Sequence, residues 1–174
     1  AINRIQPASQ TEDAVAAARD AGMRSVNLDL IYGLPKQDPE SFAGTLESIV
    51  ALRPERIALY AYAHLPERFK AQRRINERDL PAPSVKLALL GTAIRELTRA
   101  GYRYIGMDHF ALPGDPLARA LDAGTLQRNF QGYSTHGQCD LVGLGMSAIS
   151  HVDGCFAQNA RDLPGYYQAL EQGR

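Results

Sequence analysis

Cysteine is scarce in this chain, and neither sign of charge is in excess. Only Cys139 and Cys155 occur among 174 residues. Two are too few for a disulfide scaffold, and their spacing suits neither a zinc ribbon nor a cluster motif. Both are read as reduced, buried small side chains. Lys and Arg total 19 and Asp and Glu total 19, so no basic field draws the chain to nucleic acid or an anionic membrane. No apolar run approaches the roughly 18 residues of a membrane span, and the opening AINRIQPAS lacks the apolar core of a signal peptide. The expectation is a cytosolic protein with small-molecule partners. No Gly-rich dinucleotide fingerprint follows a strand, no His-x-His pair is present, and no repeat of fixed period occurs.

What is present is a globular composition, 45% hydrophobic and 22% charged, long enough for a sizeable core. Ser9 and Glu12 form a capping-box pattern ahead of DAVAAARDAG, which predicts a helix ending at Gly22. The run 25–32 predicts a strand covered on both faces. Asp38 caps a second helix with Pro39 in its first turn, and Phe42, Leu46, Ile49 and Val50 share its face before Pro54 stops it. RIALYAYAHLP is a second strand. Ser84 opens a third helix lined by Leu87, Leu90, Ile94 and Leu97, and YRYIGMDHFALP is a third strand. LVGLGMSAISHVD predicts one more strand, and Asp162 begins a closing helix.

Alternating helices and strands imply a parallel α/β sheet with right-handed crossovers, an open sheet or part of a barrel. Polar groups recur late in the strands: Asp29, His64, and Asp108 with His109. In a βα barrel those positions meet at the active-site mouth. Asp29 is the sharpest of them, because a carboxylate between leucines must be hydrogen-bonded or paired to be tolerated. With both histidines and Asp108 it could also serve a metal-dependent barrel hydrolase. The insertion ERFKAQRRINERD offers five cations for a polycarboxylate substrate, or simply a solvated loop. Residues 126–137, rich in amide, hydroxyl and aromatic groups, read as a binding loop.

The motifs NLDLIYGLPKQ, YAHLP, YIGMDHFALP, RNFQGYST and GLGMSAIS, in this order, resemble the oxygen-independent coproporphyrinogen III oxidase family of the radical S-adenosylmethionine superfamily. The resemblance covers essentially the whole chain. It implies an α/β fold that is part of an incomplete (β/α)6 TIM-like radical SAM barrel. The implied reaction is oxidative decarboxylation of coproporphyrinogen III to protoporphyrinogen IX, with S-adenosyl-L-methionine and a [4Fe-4S] cluster as cofactors. It further implies that Arg4, Asp29, Ala63 and Ile149 face S-adenosylmethionine. In that reading Arg4 meets the methionyl carboxylate, Asp29 a cofactor hydroxyl, ribose favoured, or an amino group, Ala63 the nucleobase, and Ile149 forms an apolar wall or offers a backbone donor. Gln131 is the candidate beside the reacting centre.

The family's three-cysteine cluster motif and Gly-rich cofactor motif are not in this sequence, so the cluster ligands are expected outside the chain. The piece, residues 1–174, is then the later half of the catalytic barrel, with three helix–strand units in 1–112 and a substrate-side loop, further strand and closing helix in 113–174. Alone it is expected to be inactive and to self-associate through an open sheet edge, whereas the full-length protein is expected to be a monomer acting on a tetrapyrrole. The competing assignment is a haem chaperone of the same superfamily; MDHFA and RNFQGY favour the oxidase.

Overall fold

The computed structural model describes residues 5–129 and 132–173. Two compact units divide the chain, Ala1–Leu126 and Gln127–Arg174. The first is built on a four-stranded sheet in the order β1-β2-β4-β3, where β1 is Asn27–Tyr32, β2 is Arg56–Ala61, β3 is Arg103–Gly106 and β4 is His109–Ala111. Strands β1 and β2 run parallel, with Asp29 opposite Ala58 and Tyr32 opposite Ala61.

The helices of this unit are α1 (Ala8–Asp20), α2 (Pro39–Leu52), α3 (Pro83–Arg99) and α4 (Pro116–Asp122). Helix α2 begins as its sequence demands: the Asp38 carboxylate accepts from the Ser41 amide at 2.8 Å and the Ser41 hydroxyl accepts from the Asp38 amide at 3.1 Å, closing a reciprocal cap. Phe42, Leu46 and Ile49 from α2 and Leu89, Ala93 and Leu97 from α3 are packed with Tyr32, Ile57, Leu59 and Phe110 into one core. Each Leu, Ile and Phe among them contributes about 1.5–3 kcal/mol on leaving water. Helices α1 and α3 differ from expectation at their starts. Pro7 and Ala82 are the N-caps, and neither makes a side-chain capping bond. Pro83, at the first turn of α3, needs no amide partner there.

The third predicted strand is instead a hairpin. β4 turns back, lies antiparallel between β2 and β3, and pairs His109 with Ala58. Gly106 and Met107 take φ of 135° and 49°, so the chain reverses within GMD rather than continuing. The all-parallel expectation therefore fails at this strand, although the α/β class stands.

The second unit holds two hairpins and a helix. β5 (Gln127–Asn129) pairs with β6 (Gly132–Ser134), β7 (Ile149–Val152) pairs with β8 (Cys155–Gln158), and α5 is Leu163–Glu171. Asp153 and Gly154, at φ 47° and 76°, form the two-residue left-handed turn favoured by Asp-Gly; of the predicted final strand, 141–153, only β7 is a strand, Leu141 folds back to bridge His151, and β8 lies beyond its end. Asp162 caps α5 as expected, accepting from the Gly165 amide at 2.9 Å. Cys139 and Cys155 are both exposed, contrary to the expectation of buried thiols. All four β8 residues are exposed.

Candidate functional site

Alternation along β1 and β2 sorts side chains onto two faces. Leu28, Leu30, Ile57 and Leu59 point to the helices. Asn27, Asp29 and Ile31, with Ala58 and Tyr60 beside them, take the opposite face, where Asp29 is exposed and Tyr60 is 41% exposed. The register sets Asp29, Ala58 and His109 in one row across three strands, with the small Ala58 between a carboxylate and an imidazole. The Tyr60 ring meets the His109 ring edge-on at 6.3 Å. Burial, followed by the negative charges of Asp29 and Asp108, raises the Tyr60 pKa above its ordinary value. The tolerance of a carboxylate in an apolar run is thereby explained: its face is not covered, and its Oδ1 accepts from the Asn27 amide side chain at 2.8 Å. No described group bonds Oδ2, which leaves it able to accept from a ligand hydroxyl.

Loops at the carboxyl ends of β1 and β2 are shaped by two glutamine side chains. Gln37 Oε1 accepts from the Gly33 and Leu34 amides at 2.6 and 3.2 Å, while its Nε2 donates to the Ile31 carbonyl at 3.3 Å. Gly33 sits at φ 82°, with the Lys86 stem 3.0 Å from where a Cβ would be, so the Gly in YGLPKQ answers both a turn and a close approach. Gln72, from the 3-10 helix Lys70–Arg74, donates to the Ala63 carbonyl at 3.0 Å and accepts from the Leu65 amide at 2.5 Å. His64 is held between the Tyr62 hydroxyl at 3.2 Å and Glu77 at 3.6 Å. The arginine-rich insertion is thus partly structural; Arg73 donates to the Pro66 carbonyl at 2.9 Å.

In the second unit Ile149 opens β7 opposite Gln158. A Cβ on Gly143 would fall 2.7 Å from the Ile149 carbonyl oxygen, so the first glycine of GLGMSAIS is required by backbone contact with the candidate residue. The Gly143 amide donates to the Ser150 hydroxyl at 3.0 Å, and the Asn159 side chain donates to the Gly145 carbonyl at 2.8 Å.

The proposed residues fall in three places. Asp29 lies on β1 and the exposed Ala63 on the loop after β2, not side by side: Ala63 is five positions beyond Ala58, the register partner of Asp29, as much as about 16 Å at a strand's rise. Ile149 belongs to the second unit. Arg4 and Gln131 lie outside the described residues. Among the described residues no three His, Cys, Asp or Glu gather as a metal-ligand set. They do not fit a [4Fe-4S] cluster, whose irons take thiolates, nor the hydrolase alternative. No described helix is long and apolar enough to cross a membrane. Sequence reasoning missed Ala58 in the row and Tyr60 beside it, since both read as ordinary strand residues until β4 brings His109 across.

No protein-family model matches the chain. Curated relatives do: it is 58% identical over 174 residues to an oxygen-independent coproporphyrinogen III oxidase of Pseudomonas aeruginosa, covering 100% of this chain and 38% of the relative. The corresponding protein of Escherichia coli is 50% identical over 175 residues, covering 98% and 38%. Among solved structures, the coproporphyrinogen III oxidase of Escherichia coli, described as a radical SAM enzyme, superposes with a TM-score of 0.93 at 51% identity, over 98% of this chain and 39% of that one. The chain therefore spans less than two fifths of the two relatives' length, and along that span it is homologous to these oxidases and shares part of the radical SAM fold.

Proposed function

We propose that the chain is the part of an oxygen-independent coproporphyrinogen III oxidase that carries one sheet face toward S-adenosylmethionine and one unit toward the tetrapyrrole. The parent enzyme would convert two propionate side chains of coproporphyrinogen III to vinyl groups, giving protoporphyrinogen IX and carbon dioxide. When bound, S-adenosylmethionine together with a reduced [4Fe-4S] cluster supplies the hydrogen-abstracting chemistry; the protein positions it and excludes water. What carries the reading is homology along the whole chain combined with an exposed carboxylate, Asp29, on an open sheet face with one oxygen that no described group bonds.

In this reading Asp29 accepts from a cofactor hydroxyl or amino group. Ala63, small and exposed in a segment pinned by Gln72, leaves room for a nucleobase. Ile149 forms an apolar wall, Arg4 holds the methionyl carboxylate as a charge-assisted pair, and Gln131 stands near the reacting carbon. The cluster is held by residues outside this chain, and the electron donor is a separate partner. The setting is cytosolic. Expressed alone, the piece self-associates through β1, whose only ladder partner among the described residues is β2.

The test is anaerobic. The full-length protein, reconstituted with iron and sulfide and supplied with reductant and S-adenosylmethionine, is given coproporphyrinogen III. Protoporphyrinogen IX and released carbon dioxide support the assignment. Stable haem binding with no consumption of coproporphyrinogen would replace it with the chaperone.

A further inference from the structure

The hairpin β5–β6 and the β7–β8 hairpin enclose a cavity of about 260 Å³ within the second unit. Its polar lining includes Arg128, Asn129, His136 and His151, and its apolar lining includes Leu141 and Phe156. No carboxylate is among the described residues that line it. Arg128 makes no ion pair with any described residue; its guanidinium lies 5.9 Å from the centre of the Tyr133 ring, a cation–π contact that steadies the charge without neutralising it. Asp140, between the lining residues Cys139 and Leu141, accepts from the Asp153 amide at 3.1 Å through its Oδ1. The His151 and Phe156 rings stack at 4.4 Å, giving a flat wall.

We infer that this cavity is a carboxylate subsite: Arg128 and His136 receive a propionate of the tetrapyrrole while the His151–Phe156 stack lies against the pyrrole edge that bears it. The inference rests on the function proposed above and adds to it the residues that read the substrate's acid arms. Size supports an arm rather than a whole ligand, since pockets for drug-sized molecules span about 300–1,000 Å³. Charge supports an acid, because a cation and two imidazoles line the space and no described carboxylate is among its lining. A planar guanidinium is also the side chain whose fork matches a carboxylate.

The experiment uses the full-length protein and coproporphyrin III, the air-stable ring with the same propionates, titrated by fluorescence against wild type, Arg128→Gln and Arg128→Lys. Its uncharged tetra-amide is the control ligand. Loss of a charge-assisted hydrogen bond is expected to weaken coproporphyrin III binding about ten- to hundredfold in Arg128→Gln. Arg128→Lys, which keeps the charge and loses the fork, is expected to fall between. Tetra-amide affinity is expected to be equal in all three. Equal binding of coproporphyrin III by wild type and Arg128→Gln would overturn the subsite while leaving the oxidase reading intact. Equal weakening of acid and amide would overturn it too, since Arg128 would then only shape the hairpin. A wild type that binds no coproporphyrin at all would sink the oxidase reading, and the subsite with it.

Discussion

Replacing Asp29 by Asn removes one charge from the open sheet face and leaves shape and packing nearly unchanged. Asp29 is exposed, its Oδ1 is engaged by Asn27 at 2.8 Å, and no described group bonds Oδ2. The fold should therefore lose little, within about 0.5 kcal/mol as for most surface substitutions. A ligand hydroxyl donating to Oδ2 would lose a hydrogen bond to a charged group, worth about 1.5–3 kcal/mol. Because the face is open to water, the lower end applies, which corresponds to roughly tenfold weaker binding. Calorimetric titration of the full-length protein with S-adenosylmethionine under anaerobic conditions reads this directly. An internal control confirms that the charge is gone: Asp29 is one of the groups raising the Tyr60 pKa, so ultraviolet titration of the variant should show Tyr60 ionising at lower pH than in wild type. If Tyr60 moves as expected and the affinity stays within about twofold, Asp29 does not touch the cofactor.

Three further outcomes follow from particular contacts. Asp115, with its side chain 1% exposed, accepts from Arg56 Nε at 2.8 Å, the Ser25 hydroxyl at 3.1 Å and the Leu117 amide at 2.8 Å. Asp115→Ala should lower the opening free energy of β2 by about 3 kcal/mol, the low end for breaking a buried pair because Arg56 is partly exposed; unchanged amide exchange at Ile57–Leu59 would contradict it. Gly143→Ala places a Cβ 2.7 Å from the Ile149 carbonyl oxygen and should cost about 1–3 kcal/mol as overpacking does, with faster amide exchange along β7; a variant exchanging like wild type would show that the contact yields freely. Burial pushes the Tyr102 pKa up to about 12 from 10.0, and its hydroxyl donates to the Pro54 carbonyl at 2.7 Å. Between those values the unfolded tyrosine loses its proton and the folded one keeps it, so stability is complete below pH 10.0 and declines as pH rises toward about 12. Thermal unfolding of Tyr102→Phe should show a shallower decline over that window than wild type, and equal slopes would refute the assignment.

Much of the first unit was legible in the sequence because its signals are local. Asp38 and Pro39 announce the start of α2, and the spacing of Phe42, Leu46 and Ile49 announces its buried face. The β3–β4 hairpin reads as a single strand, and β8 beyond Asp153 goes unread, for a physical reason. Strands of three or four residues are too short for alternation to register, and the reversals at Gly106–Met107 and Asp153–Gly154 depend on positive φ rather than on a break in hydrophobicity. The capping expected of Ser9 and Ser84 failed because the chain enters each helix two residues earlier, at Pro7 and Ala82. At the site, Asp29 was visible as an anomaly in an apolar run. Its row with Ala58 and His109 was not, since register between strands distant in sequence is decided by tertiary pairing.

The central claim is that the Asp29 face of the sheet, and not its helix-covered face, meets the cofactor. Hydrogen exchange of the full-length protein with and without S-adenosylmethionine tests it most directly. The account predicts slower exchange in residues 27–32 and 60–65 when the cofactor is present, with α2 and α3 unchanged. Protection confined to α2 and α3, or none in either strand segment, would contradict it.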